Sequence, residues 1–147
     1  MGELVRVHGE RTRAGLSTLK AGIHQAITLT LRSAVDAAKG SAKATDLWKN
    51  RTGETRASIR GEVLGLKGFV EARGAAHFLE WGTAPHLIVA HGRALRFVVN
   101  GTVLYRKWVH HPGTRERPFM REARQRGEQA AAWGAEIFVG AAIRAAH

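Results

Sequence analysis

The sequence contains no cysteine, which excludes disulfide bonds, thiolate metal ligands and cysteine nucleophiles together. It also has no run of about 18 apolar residues, the length that a membrane-spanning helix needs. Residues 1 to 6 include no apolar core of a secretory signal. We therefore expect a protein that stays in the cytoplasm where it is made.

The motifs of common active sites are missing as well. There is no P-loop, no G-x-S-x-G, no G-x-G-x-x-G and no H-E-x-x-H, and the 12 acidic residues are scattered. Five of the eight histidines lie close together in the sequence: His77, His86, His91, His110 and His111. Their spacing does not match the three ligands and carboxylate base of a zinc hydrolase. We expect no enzyme, no cofactor, no metal and no small-molecule substrate.

Positive charge is what the sequence has in excess. Its 23 lysines and arginines against 12 acidic residues give a formal net charge of +11. This charge predicts an anionic partner, with nucleic acid as the first candidate and an acidic protein surface as the alternative. Binding through six phosphates would weaken on the order of 10³-fold between 50 and 200 mM salt. The aromatic residues are not interleaved with cations as a stacking platform for bases requires.

The length of 147 residues and the 44% of hydrophobic residues indicate one globular domain. Residues 10 to 38 carry apolar side chains at steps of three and four, which predicts a helix that ends before Gly40. Such a helix is about 43 Å long. Because a compact domain of this size needs less, part of the helix is expected to contact another subunit, and Leu29 is a candidate for that contact.

A second long helix is predicted for residues 118 to 145. Its apolar face consists of Phe119, Ala123, Ala130, Trp133, Gly134, Ile137 and Ala141. The small residues on this face would let another helix approach closely. Between the helices, residues 39 to 52 lose the helical period and indicate a loop, in which Trp48 is expected to fold against the protein.

Residues 53 to 110 mix strands and short helices. A short helix capped by Thr52, a hairpin at 61 to 72, a helix at 75 to 81 ended by a left-handed Gly82, and a strand at 87 to 90 are predicted. Asn100 and Gly101 are the pair that a type I′ turn requires, so residues 94 to 99 and 102 to 109 should form a hairpin. Alternation along its first strand predicts one core face, formed by Leu95, Phe97 and Val99.

Residues 111 to 118 form the joint between the β region and the second helix. Pro112 and Gly113 suit the central positions of a type II turn. Pro118 suits the first helical position, where its missing N–H costs nothing, and Phe119 follows as the first apolar anchor.

Three blocks of the sequence resemble a known family in their order and spacing. They read RTG…SI at residues 51 to 59, an aromatic, acidic and Gly-Thr element at 77 to 83, and HPGT…PF at 111 to 119. They are similar to motifs of the neck and tail-completion proteins of long-tailed bacteriophages. The structural or interface residues that the resemblance implies are Arg51, Thr52, Gly53, Ser58, Ile59, Glu80, Trp81, Gly82, Thr83, His111, Pro112, Gly113, Thr114, Pro118 and Phe119. Trp81, Arg117 and Glu122 depart from the pattern expected of the family.

The resemblance implies an α+β fold with a curved antiparallel sheet flanked by two long helices. It further implies a virion protein at the head-to-tail joint or tail, assembling in the host cytoplasm as a ring, with a hexamer favoured. The implied partners are other neck and tail proteins, namely the connector, tail terminator and tail tube, and the double-stranded DNA that passes through the lumen. Glu80 would be a structural carboxylate that accepts backbone hydrogen bonds or pairs with an arginine.

Two further expectations concern assembly. Loops at 39 to 52 and 82 to 94 would become ordered when the ring forms. Cations near the first loop could face the DNA: Lys39, Lys43, Lys49, Arg51 and Arg56. The alternative function is a basic nucleic-acid-binding protein that acts without forming a ring.

Overall fold

The first element is one α-helix, α1 (Gly2–Ala44), of 43 residues, which corresponds to about 64 Å. The structure, a computed structural model, describes the backbone of residues 2 to 145 and the side chains of residues 12 to 145. The helix extends past the predicted bounds of 10 and 38 at both ends, so the predicted loop at 39 to 52 begins only after Ala44. Gly40 does not end the helix, because Ala42 is fully buried and its packing outweighs the weak helix propensity of glycine.

The C-terminal helix comprises α4 (Phe119–Gly134), a π-helical turn (Ala135–Val139) and α5 (Gly140–Ala145). It lies antiparallel to α1, because Gly127 faces Ala34 and Ala38 while Ala142 faces Gly22. A Cβ added to Gly127 would lie 3.1 Å from the Ala34 carbonyl oxygen. The predicted close approach through small residues is therefore confirmed.

Three positions on the predicted apolar face of this helix are not covered: Trp133, Ile137 and Ala141. Trp133 is 62% exposed and Ile137 is 40% exposed. The strip of α4 that contacts α1 is narrow and built on small residues, so large side chains at its flank point outward. Since α5 ends three residues after Ala142, roughly 25 Å of α1 extends beyond the C-terminal helix. Leu16 and Leu29 on α1 are also exposed.

The β-strands form three separate two-stranded antiparallel ribbons rather than the single curved sheet that was expected. The first pairs β1 (Arg60–Leu64) with β2 (Lys67–Glu71) and packs on α1. Its glycines allow this contact, since a Cβ on Gly61 or Gly68 would collide with Val35. Among the described strands none joins one ribbon to another, so the outer edges of the ribbons stay unpaired.

The other two ribbons are consecutive parts of one long hairpin, which we call the arm (residues 86 to 111). Its base pairs β3 (His86–Val89) with β6 (Trp108–His111), and its outer part pairs β4 (Leu95–Val99) with β5 (Thr102–Arg106). The four residues 91 to 94 bulge out opposite Lys107. The strand predicted at 102 to 109 is consequently interrupted, because the Lys107 carbonyl accepts from the Ala90 N–H and the register changes there.

The turn of the arm is the predicted type I′ turn, with φ of 49° at Asn100 and 82° at Gly101. Its predicted core face is not buried. Leu95 and Phe97 are half-buried and Val99 is 45% exposed. No strand of the arm packs extensively on a described helix, and the arm itself is roughly 30 Å long.

The hydrophobic core lies toward the C-terminal end of α1. It consists of Ala42, Trp48, Ile59, Ala76, Phe119 and Ala123. The core is bounded by α1, α4 and two short helices, α2 (Glu54–Ser58) and α3 (Ala76–Trp81). Trp48 packs edge-on against Phe119 with ring centroids 5.7 Å apart, as its predicted burial required. Within the described residues no helix is both long and apolar enough to cross a membrane.

Candidate functional site

The base of the arm is closed by a pair of backbone hydrogen bonds. The Thr83 N–H donates to the Thr114 carbonyl at 2.9 Å, and the Thr114 N–H donates to the Thr83 carbonyl at 3.1 Å. Each of these residues lies three positions beyond an end of the arm. The second and third sequence blocks, far apart in the chain, therefore meet at this point, which we call the junction.

Two glycines make this close approach possible. Gly82 and Gly113 have φ of 68° and 88°, values that side chains disfavour. A Cβ on Gly82 would overlap the Thr114 carbonyl oxygen, and one on Gly113 would overlap that of Thr83. The φ of Gly113 would suit a type II turn, but the predicted turn does not form: Thr114 pairs with Thr83 in the same register that pairs His111 with His86, so the chain continues extended past Pro112. Gly82 is not the predicted left-handed cap, because its ψ is −171° and the chain extends at once to pair Thr83.

Glu80 links the junction to the start of α4. Its side chain is buried, and its carboxylate accepts hydrogen bonds from the backbone N–H groups of Met120 at 2.8 Å and Arg121 at 3.1 Å. These are the second and third residues of α4, whose N–H groups a capping side chain normally satisfies. The negative charge also opposes the positive end of the helix dipole. Glu80 on α3 thus caps a helix that begins 39 positions later.

Arg121 completes the charge balance around Glu80. Its Nε lies 3.2 Å from Glu80 Oε1 and its Nη2 lies 2.8 Å from Glu116 Oε2. The hydrogen bond to Glu116 is the largest effect on the pKa of the Arg121 guanidinium, which is raised above its ordinary value although desolvation opposes this. The guanidinium also lies over the exposed ring of Trp81, 5.2 Å from its centroid. Both contacts expected of Glu80, to backbone and to arginine, are present.

Pro118 precedes the helix instead of occupying its first position. Its φ of −77° and ψ of 57° are not helical, and the helix begins at Phe119. The Pro118 carbonyl accepts the N–H of Glu122 at 3.1 Å, while the Arg117 N–H donates to the Leu79 carbonyl at 2.7 Å. This second link to α3 fixes the residue before the proline in an extended approach to α4.

The first sequence block contributes to the core next to the start of α4. Ile59 is 1% exposed and belongs to the core around Phe119. The Ser58 hydroxyl accepts from the Arg73 N–H at 2.8 Å, which ties α2 to the segment after β2. Gly53 precedes α2 with φ of 83°, so the cap position predicted for Thr52 belongs to Gly53. Thr52 is exposed and accepts only a 3.4 Å hydrogen bond from the Glu54 N–H.

The five cations proposed for a DNA lumen differ in their surroundings. Arg56 lies over the Trp48 ring at 5.2 Å and donates to the Thr45 carbonyl at 2.7 Å, so it holds the loop after α1 in place. Lys39 pairs with Asp36 at 2.6 Å. Three cations remain exposed on or after the end of α1: Lys43, Lys49 and Arg51.

The clustered histidines lie mainly along the base of the arm. His86 and His111 are opposite each other in the register, with ring centroids 5.0 Å apart. His111 Nδ1 accepts the Gly113 N–H at 3.1 Å, which helps to hold the backbone at Pro112 and Gly113. His77 is exposed and lies edge-on against Phe78. Across the part of the chain that is described, no group of three or more potential metal ligands comes together.

Comparisons with models of protein families, with curated proteins and with solved structures gave no match for this chain. The site is therefore interpreted from its geometry. The junction brings together residues of the second and third sequence blocks, while Ile59 of the first block packs in the core with Phe119. No sequence signal indicated that the backbone groups of Met120 and Leu79 take part, or that Arg121 is the arginine that pairs with Glu80.

Proposed function

We propose that this chain is a structural subunit of an oligomeric ring at the head-to-tail joint or tail of a long-tailed phage or a phage-derived particle. A single observation supports a subunit over a free monomer. The chain has an accessible surface of 11471 Å², whereas a compact monomer of this mass exposes roughly 7,400 Å². Two features increase the accessible surface: the arm, and the end of α1 that extends beyond the C-terminal helix.

The exposed surface also includes large apolar side chains at positions where a monomer would carry polar ones. Five of the large exposed side chains lie on the base of the arm and on α3: Leu87, Val89, Trp108, Phe78 and Trp81. Large exposed apolar side chains that are neighbours, as Val89 and Trp108 are in the register, mark protein–protein contacts. The unpaired ribbon edges add backbone donors and acceptors that a neighbouring strand can satisfy.

The specific role rests on the three sequence blocks. Residues of the second and third blocks build the junction at the base of the arm, and Ile59 of the first block packs in the core with Phe119. A subunit that closes into a ring needs a fixed angle, since a heterologous interface closes only when its rotation is constant. In this proposal the ring is a hexamer that surrounds DNA, contacts the connector, tail terminator or tail tube, and resides in the virion.

Sedimentation of the purified protein together with electron microscopy tests this proposal. We expect rings of one size at micromolar concentration, and rings of the same outline at the neck of particles. A protein that sediments as a single chain at all concentrations, and is absent from purified particles, would refute it.

The alternative, a basic nucleic-acid-binding protein that acts alone, is favoured by one observation. No acidic residue occurs between Glu80 and Glu116, a stretch that contains the whole arm and the cations Arg93, Arg96, Arg106, Lys107 and Arg115. Binding of double-stranded DNA measured from 50 to 200 mM salt separates the two functions. A monomer whose affinity falls on the order of 10³-fold over this range would favour the alternative.

A further inference from the structure

An apolar groove lies between α1, β2 and α4. Its floor and walls consist mainly of Leu31, Ala34, Val35, Val70, Met120 and Ala131, and its volume is about 380 Å³. This is more than twice the roughly 150 Å³ of an apolar cavity that accepts a benzene ring. The groove is open to the surface, and no arm residue of the same chain lines it.

One face of the outer arm has the complementary character. Val98 lies opposite Val103 and Arg96 lies opposite Tyr105 in the register, so the four side chains share one face. All four are exposed, with Val98 at 57% and Tyr105 at 59%. A two-stranded ribbon is at best marginally stable in water when nothing covers its apolar face.

We propose that the arm of one copy places Val98, Val103 and Tyr105 in the groove of a second copy. This inference rests on the proposed ring function and names the surfaces that meet. The groove provides apolar walls for the valines and the aromatic ring. The arm supplies a ribbon that its own chain leaves uncovered.

The charges around the two surfaces favour this pairing. The arm contains cations but no carboxylate. Glu128 lies at the groove, paired with Arg124 at 3.2 Å. Arg32, Asp36 and Glu62 line the adjoining depression across α1; Asp36 pairs with Lys39, whereas Glu62 forms no ion pair with a described residue. Arg96, which shares the face of the two valines, would therefore approach a surface that contains carboxylates.

The available area also fits a second copy. A standard interface buries about 800 Å² on each partner, and the chain exposes roughly 4,000 Å² more than a compact monomer of its mass. Each copy would donate an arm and receive one, so two interfaces fit within this excess. Donor and acceptor surfaces differ, which makes the contact head-to-tail and allows a closed ring.

The absence of native cysteine permits a direct test by disulfide trapping. Val98→Cys and Ala131→Cys chains are purified separately, mixed under assembly conditions and oxidised. We expect a disulfide between the two kinds of chain, because docking would bring their Cα atoms within the roughly 4.4 to 6.8 Å that the bond allows. The matched control replaces the Ala131→Cys chain by a Gln129→Cys chain, altered at an exposed position on the same helix that does not line the groove.

A second measurement uses assembly itself. Val98→Asp should raise the dissociation constant of the assembly more than about tenfold, whereas Thr102→Asp, on the other face of the same turn, should change it less than about threefold. Two results would overturn the arm-in-groove contact and leave the ring intact. In the first, rings form normally but the Val98→Cys and Ala131→Cys chains fail to cross-link. In the second, the two aspartate variants change the dissociation constant of the assembly equally. A wild-type chain that never assembles would overturn the ring and this contact together.

Discussion

The carboxylate of Glu80 accepts a 2.8 Å hydrogen bond from the backbone N–H of Met120, forty positions further along the chain. Because the acceptor belongs to α3 and the donor to α4, neither helix reaches its final position without the other. The hydrogen bond from the Arg117 N–H to the Leu79 carbonyl also links α3 to the start of α4. The tilt of the C-terminal helix relative to the arm is thereby determined at one buried carboxylate.

Replacing Glu80→Ala should lower the free energy of unfolding by about 3 kcal/mol, because two backbone donors at the start of α4 lose a charged acceptor. Urea titration followed by tryptophan fluorescence measures the change. Glu116→Gln is the matched control, since Glu116 also binds Arg121 but is 56% exposed, and it should cost less than about 1 kcal/mol. Equal losses in the two variants would contradict the capping role of Glu80.

Replacing Gly113→Ala should destabilise the protein by more than Gly74→Ala does. Both glycines have positive φ, 88° and 66°, which costs alanine about 1 to 2 kcal/mol. Only at Gly113 would the new Cβ collide with the Thr83 carbonyl oxygen, since nothing lies within 4 Å of Gly74. Hydrogen exchange at the Thr83 and Thr114 amides should accelerate in Gly113→Ala alone. The same exchange rates in both variants would show that the junction tolerates a side chain.

Replacing Phe119→Ala should cost about 3 to 5 kcal/mol, because it empties the centre of the core. Phe119 is 1% exposed and contacts Trp48, so the fluorescence of Trp48 should shift as well. Phe78→Ala serves as the control, because Phe78 is 55% exposed and its loss should change stability by about 0.5 kcal/mol or less. A Phe119→Ala protein as stable as Phe78→Ala would place the core elsewhere.

Replacing Gly101→Val should loosen the arm without unfolding the body. A type I′ turn requires positive φ at both central positions, which a β-branched residue resists. Amides of residues 95 to 106 should lose protection from hydrogen exchange, while urea unfolding of the helices changes by less than about 0.5 kcal/mol. Thr102→Val, next to the turn, should preserve protection. A cooperative loss of protection throughout the chain would mean that the arm belongs to the folded core.

Several parts of the fold could be predicted from local signals. The Asn100–Gly101 turn and the hairpin of β1 and β2 follow from residues that are close in sequence. The two long helices follow from periodicity, although their ends do not. Burial of Ala42 continues α1 through Gly40, and this contact with distant residues has no local sequence signal.

The junction was predictable only in its residue types. Gly82 and Gly113 suggest turns, but the reason that each must be glycine is a carbonyl group from the other block. The change of strand partner at Lys107 likewise depends on the extra residues 91 to 94 in the facing strand. The alternation of residues within β4 predicted that one face of the strand is buried. Whether another part of the chain covers that face depends on tertiary structure, which the alternation does not encode.

The π-helical turn at Ala135–Val139 divides the C-terminal helix into two surfaces with separate orientations. One additional residue in a helix rotates all later side chains by about 100° around the axis. Trp133 and Ile143, both exposed, lie before and after this rotation. The apolar residues of the last helical turns therefore point in a different direction from those of α4. A partner that packs along α4 would not contact Ile143 with the same surface.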